Sequence, residues 1–242
     1  MSINNPAHAE QQKGVILADS DPYVAFLSAA TRCSADAVRL TLVELVEDNE
    51  FFESIGAGLE ELARNARAGF DPGELRVHAH TVYAAVRLLQ PTLVVETGDA
   101  NGKSSTFILN ALRRNGGGKL CSVDLPEFIG QESYRVGDAL IPRDRSSGWL
   151  VPKSLRIDWD LRLGDARDLL PQLRAELGPI DLFFHDSLHT YDHMKYELTL
   201  AAEWVRDSGT IMCDDVQNNA AYAESIEGSQ SSVFGTFGFI WR

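Results

Sequence analysis

The chain has 242 residues, 44% hydrophobic and 24% charged, enough apolar material for a sizeable core in one large domain or a domain with a helical extension. Its formal charge of −13 repels polyanions, which argues against nucleic-acid and anionic-membrane partners. There is no bilayer-length apolar run and no signal-like amino terminus, and Cys33, Cys121 and Cys213 are too few and too scattered for a disulfide frame. Reduced thiols in a cytoplasmic enzyme are therefore expected.

Residues 1 to about 22 are polar and small with no convincing period, and read as a loose arm or an oligomer contact. From Ser34 a helical stripe runs through Val38, Leu42, Leu45 and Val46, and a second through Phe52, Ile55, Leu59 and Leu62. Together they make a helical amino-terminal cap over residues 1–75, with surface for a homodimer. Asp71-Pro72-Gly73-Glu74 combines an N-cap, a first-turn proline and an acid, and predicts a further helix through Val77, Ala84, Ala85 and Leu88.

The next stretch, Leu93 to Ser105, reads as strand, tight turn and helix: an apolar run ends in Glu96, passes Gly98 and Gly102, and meets Ser104 and Ser105 before Phe107, Ile108, Ala111 and Leu112. Glycines there permit a sharp turn and close approach of a ligand to unpaired N–H groups at the helix start. A phosphate-binding P-loop needs one more residue between the glycines, and Asp99 would repel a dinucleotide's pyrophosphate. A nucleoside carrying positive charge, of which S-adenosylmethionine (SAM) is the common one, suits the acidic strand end better; an ordinary turn with glycines for geometry remains the alternative.

Lys119 to Asp124 is a second strand, and Asp124 falls about 20 residues beyond Gly102, where α/β nucleoside folds place a carboxylate on the ribose. Residues 126–153 are too long for a simple connection and read as a lid or substrate loop, with a disordered insert as the alternative. A third strand over Arg156 to Leu163 ends in Gly164-Asp165-Ala166, where Asp165 sits either beside adenine or as a plain N-cap. Ile180 to Phe184 is a buried fourth strand leading to His185, Asp186 and His189; Thr190 caps a helix bearing Met194, Leu198, Ala202 and Val205. Thr210 to Cys213 is a fifth strand ending in Asp214-Asp215, and Ser231 to Arg242 reads as one long strand or a small hairpin at the sheet's edge.

Alternating strands and helices with right-handed crossovers predict a Rossmann-like α/β fold, a mostly parallel sheet with helices on both faces, over residues 76–242. Its strand ends share one edge, where open sheets of this kind bind ligands. Asp186, Asp214 and Asp215 converging there would repel one another unless a hard divalent ion such as Mg²⁺ is shared between them. His189 has the best pKa for a general base toward a hydroxyl. His189 and His193 are also spaced for zinc, but the acid that a zinc protease carries beside the first histidine is missing.

On Val94-Val95-Glu96-Thr97-Gly98 with Gly102, Ser122-Val123-Asp124, Gly164-Asp165-Ala166, His185-Asp186 with His189, and Cys213-Asp214-Asp215, the chain resembles the class I SAM-dependent methyltransferases. Within them it is similar to metal-dependent small-molecule O-methyltransferases, in the group with macrolide-sugar O-methyltransferases and cephalosporin hydroxylase-like proteins, over about residues 75 to 220. The resemblance implies that Glu96, Gly98, Gly102 and Ser104 hold the methionine part of SAM, Asp124 the ribose, and Asp165 with Ala166 the adenine. It implies a metal on Asp186, Asp214 and Asp215, with Asp186 also facing the cofactor, and His189 as the base where catechol-modifying relatives carry Lys. The implied acceptor is a small-molecule hydroxyl, a sugar's in preference to a catechol's. A SAM-fold partner protein in a biosynthetic complex is the reading from another class. Asp99 departs from the family's small or apolar residue, and the closing carboxyl-terminal hairpin looks abbreviated.

Overall fold

The structure, a computed structural model, describes residues 5–65, 78–128 and 141–242. Seven strands, β1 (Leu93–Thr97), β2 (Lys119–Asp124), β3 (Trp159–Leu163), β4 (Ile180–His185), β5 (Val205–Cys213), β6 (Ser231–Phe234) and β7 (Phe237–Trp241), form one sheet in the order β3-β2-β1-β4-β5-β7-β6. The first five run parallel, and β7 lies antiparallel between β5 and β6. Strand order reverses between β1 and β4, so the crevice of an open α/β sheet opens beyond Thr97 and His185.

Nine helices are described: α1 (Pro6–Asp19), α2 (Asp21–Thr31), α3 (Ala35–Val46), α4 (Asn49–Asn65), α5 (His78–Leu89), α6 (Lys103–Arg114), α7 (Ala166–Leu177), α8 (Tyr191–Trp204) and α9 (Ala221–Ser225). Alternation along the strands divides the core between the two faces of the sheet. Val94, Leu120, Leu182, Phe184 and Met212 pack with residues of α1 to α6. Val95, Cys121, Phe183, Ile211 and Cys213 pack with Leu170, Leu173, Met194, Leu198 and Ala201 of α7 and α8. Each large side chain sealed in this way contributes about 1.5–3 kcal/mol. Helix starts follow their side chains: Asn5 accepts from the Ala7 amide, Ser34 from Ala37 and Asp165 from Arg167.

The sequence expectations need four corrections. Residues 6–19 are helix, not a loose arm, and α2 follows directly. The period of α1 is hidden because Glu10 and Lys13 are buried beside Leu17 and Ala18, with Lys103 paired to Glu10. The third strand starts at Trp159, after a 3-10 turn over Lys153–Asp158, and β5 starts at Val205, where α8 already ends. The closing hairpin is complete: β7 pairs with β5 from Gly238 to Trp241 and with β6 from Phe237 to Ile240. The Asp71–Glu74 helix start, the 75/76 boundary and residues 129–140 of the expected lid lie outside the described residues.

Candidate active site at the carboxyl edge of the sheet

The turn after β1 is shaped by what surrounds it. Gly98 has φ +87, and a Cβ there would lie 2.1 Å from the Asp186 carbonyl oxygen, so only glycine lets β1 and β4 deliver their ends side by side. At Gly102, φ +85, a Cβ would lie 2.8 Å from Gly148 Cα. The crossover that follows β2 thus sits directly on this turn: the Gly148 amide donates to Ala100 O at 2.9 Å, the Leu150 amide to Asn101 O at 3.0 Å, and Trp149 Nε1 to Asn101 Oδ1 at 2.6 Å. Gly148 to Leu150 of the expected lid are therefore bonded to the turn as a wall.

Beneath the turn lie two buried carboxyls. Glu96 is fully buried and Asp99 is 2% exposed, so Asp99 points under the turn and does not charge its outer face. Ser105 Oγ is within hydrogen-bond reach of both, 2.5 Å from Asp99 Oδ1, and Ser122 Oγ donates to Glu96 Oε2 at 2.8 Å. Two carboxyls this close to one buried hydroxyl disfavour both being ionised at once. Burial raises the pKa of both; the neighbouring Glu96 charge adds to the rise at Asp99, and hydroxyls from Ser104, Ser105 and Ser122 moderate that at Glu96. Glu96 Oε1 and Asp99 Oδ2 are buried with no hydrogen-bond partner among the described residues.

Asp124, at the end of β2, accepts from the Ala100 amide at 3.1 Å and from Ser147 Oγ at 2.5 Å. A ribose at this carboxylate would share it with Ser147. Asp165 is the N-cap of α7, its Oδ1 taking the Arg167 amide at 2.8 Å, and Ala166 is buried behind it. Ser104 is buried at the first turn of α6.

The ends of β4 and β5 carry the second half of the site. Asp186, Asp214 and His78, at the start of α5, place one donor atom each within 4.8 Å of one another. His78 Nε2 is 2.9 Å from Asp186 Oδ2 and 3.8 Å from Asp214 Oδ2. Burial alone would lower the His78 pKa, but the two carboxylates raise it to about 9. Asp214 is itself shifted up by burial, with His78 opposing. His78 went unread in the sequence: nothing local marks it, and its partners come from strands far along the chain. Asp215 is not in this group. It has φ +53, and its Oδ2 stands 3.6 Å from His189 Nδ1.

His189 lies in the loop after β4, its backbone carbonyl held by Asn219 Nδ2 at 3.1 Å. Burial lowers its pKa, partly countered by Asp186, so the ring is neutral near pH 7; its Nε2 is buried with no hydrogen-bond partner among the described residues. His193 does not join it as a zinc pair: His193 Nε2 turns to Glu197 Oε1 at 2.8 Å. The donor chemistry of two carboxylates and an imidazole fits a divalent cation, and the orphaned Glu96 Oε1 at the end of β1 fits a ligand that brings positive charge to the turn.

Among solved structures, the O-methyltransferase from Bacillus cereus in complex with S-adenosylhomocysteine superposes with a TM-score of 0.57 at 17% identity, covering 78% of this chain and 91% of that one. The methyltransferase PaMTH1 from Podospora anserina, bound to S-adenosylhomocysteine, gives 0.54 at 15% identity over 80% and 88%. TomG from Streptomyces achromogenes, an O-methyltransferase involved in tomaymycin synthesis and solved with SAM, gives 0.50 at 20% identity over 81% and 90%. These likenesses are of fold. A comparison with curated protein sequences returns no match. A family model described as a methyltransferase domain matches residues 95–216, half of the chain, from β1 through the Asp214-Asp215 pair. The chain belongs to that methyltransferase-domain family.

Proposed function

We propose that the protein is a SAM-dependent O-methyltransferase acting on a hydroxyl of a small metabolite, with His189 as general base. The observation that carries this reading is the state of His189: a neutral imidazole whose Nε2 has no hydrogen-bond partner among the described residues, beside Asp186 at the edge of the sheet. Asp215, 3.6 Å from Nδ1, steadies the ring once it takes up the hydroxyl's proton, and Asn219 fixes the loop that carries it. Glu96, Gly98, Gly102 and Ser104 would border the methionine part of the cofactor, with Asp124 at its ribose. Asp186 and Asp214 would hold a divalent ion. SAM supplies an electrophilic methyl group and the ion a Lewis acid that lowers the hydroxyl's pKa. Orientation of the acceptor oxygen by these side chains then governs the rate. A sugar hydroxyl fits better than a catechol, because histidine stands where catechol-modifying relatives use lysine.

The test is methyl transfer to a panel of hydroxylated metabolites, with SAM affinity measured in parallel by calorimetry. His189→Ala should lose turnover while binding SAM as before. Near-wild-type turnover in that variant would remove His189 from the reaction.

A further inference from the structure

We infer that His78 is a metal ligand, and that with Asp186 and Asp214 it forms a mixed nitrogen–oxygen site selecting a first-row divalent cation such as Co²⁺, Fe²⁺ or Mn²⁺ over Mg²⁺. The inference deepens the methyltransferase reading and rests on it for the ion's role, though not for its binding.

Three independent elements bring the donors together: the start of α5, the end of β4 and the end of β5. Donor atoms bound to one ion at about 2.1 Å stand roughly 3–3.5 Å apart. The His78 Nε2 separations of 2.9 Å and 3.8 Å from the Asp186 and Asp214 oxygens bracket that range, so small side-chain movements suffice. The ring is already oriented, packed against Phe184 with centroids 5.4 Å apart and edge-on to Phe237 at 6.0 Å. Its Nε2 makes no aligned hydrogen bond among the described residues despite its closeness to Asp186, so an ion that displaces the ring's proton would take a position no protein bond already holds. Thr236 Oγ1 meanwhile donates to the other Asp214 oxygen at 3.0 Å, fixing that carboxylate as an outer partner fixes a ligand.

Chemistry sets the preference. Binding releases the imidazole proton, and two carboxylates with the resulting neutral ring then balance the charge of a divalent ion; imidazole nitrogen favours the first-row transition ions, whereas Mg²⁺ demands oxygen and keeps its waters. Asp215, the third oxygen an all-carboxylate Mg²⁺ site would use, faces His189 instead. Three protein donors leave positions open for an acceptor hydroxyl.

The full chain, stripped of metal, is titrated with Co²⁺, Mn²⁺ and Mg²⁺, and the Mn²⁺-loaded protein is examined by electron spin-echo spectroscopy. A directly bound imidazole nitrogen is expected in wild type, changing pattern when histidine is ¹⁵N-labelled, persisting in His189→Ala and vanishing in His78→Asn. Co²⁺ should bind more tightly than Mg²⁺, and His78→Asn should lose at least about tenfold in Co²⁺ affinity. No nitrogen coupling in wild type, or coupling lost in His189→Ala and kept in His78→Asn, overturns the assignment, as does Mg²⁺ binding equal to Co²⁺. If His78→Asn does not fold, the labelled wild type and His189→Ala still decide between a nitrogen ligand other than His189 and none. Methyl transfer with Mg²⁺ and no bound nitrogen sinks the His78 ligand alone; a His78-bound metal without methyl transfer sinks the functional reading alone.

Discussion

His185 Nδ1 lies 2.6 Å from Glu197 Oε2, and neither side chain has any solvent exposure. Thr97 Oγ1, at the end of β1, donates to the same oxygen at 2.6 Å, while Ser187 Oγ and His193 Nε2 reach Oε1 at 2.9 and 2.8 Å. One carboxylate on α8 therefore ties together the strand ends from which the site projects. Burial opposes its ionisation, yet His185 and His193 hold its pKa well below the usual range. Glu197→Gln removes the charge these groups are arranged around, and stability should fall by about 3 kcal/mol, read as a lower urea midpoint.

The buried pair beneath the turn should behave in the opposite way. A carboxyl whose pKa is raised on folding contributes stability below its unfolded pKa, and that contribution is lost as pH rises through the folded value. Asp99→Asn replaces it with a neutral group of the same shape. The variant should match or exceed wild-type stability at pH 7, and its advantage should shrink as pH is lowered toward about 4. Urea titrations at several pH values test this; a large loss at pH 7 would show that Asp99 is needed as an anion.

For the base, kcat/KM should fall on an acid limb whose midpoint lies below the ordinary histidine value of about 6.5, because burial lowers the His189 pKa and the neutral ring is the active form. Asp215 is among the charges that raise that pKa. Asp215→Asn should move the acid limb to still lower pH, and a shift toward higher pH would contradict the assignment. His189→Ala should reduce kcat by roughly 10²–10⁴.

Gly98→Ala tests the approach of β1 to β4. The left-handed backbone alone makes alanine cost about 1–3 kcal/mol, and the Cβ would also drive into the Asp186 carbonyl, 2.1 Å away. Thermal unfolding should shift down, and methyl transfer should drop further than stability does because Asp186 is displaced.

Acid sensitivity should arise away from the site, where α1 meets α5 and α6. His80 is fully buried with its Nε2 2.9 Å from the Glu10 carbonyl; burial lowers its pKa to about 4, with Glu10 opposing. Burial works against ionising Glu10, but Lys103, His80 and Lys13 bring its pKa to about 2. The unfolded chain binds protons first at both groups, so stability is complete above about pH 6.5 and falls as pH drops, His80 accounting for roughly 3 kcal/mol by pH 4. His80→Asn should flatten the stability curve between pH 6.5 and 4.

Strands β1, β4 and β5 and their acidic ends were legible because each is a short apolar run punctuated by glycine or proline, and a parallel sheet collects such ends on one edge, whereas β3, with Asp160 and Arg162 in its run, hides its start. Asp186, Asp214 and His189 follow from that logic alone. His78 does not: it opens a helix, has no spacing relation to another ligand, and meets Asp186 only through tertiary packing. Asp215, adjacent to Asp214, looked like its twin, but a positive φ turns it toward His189. Helix α1 was concealed because its inward face carries Glu10 and Lys13, which a hydrophobic period counts as outside. Asp99 read as a charge on the ligand face because sequence does not say that Ser105, six residues on, draws it inward.

The wall formed by Gly148 and Leu150 has a consequence for exchange and occupancy. Their amides close onto the carbonyls of Ala100 and Asn101, so the crossover and the glycine turn open or close as one cooperative unit. A ligand that tightens the turn should slow deuterium uptake at both amides, which makes these two protons a reporter of whether the turn is occupied.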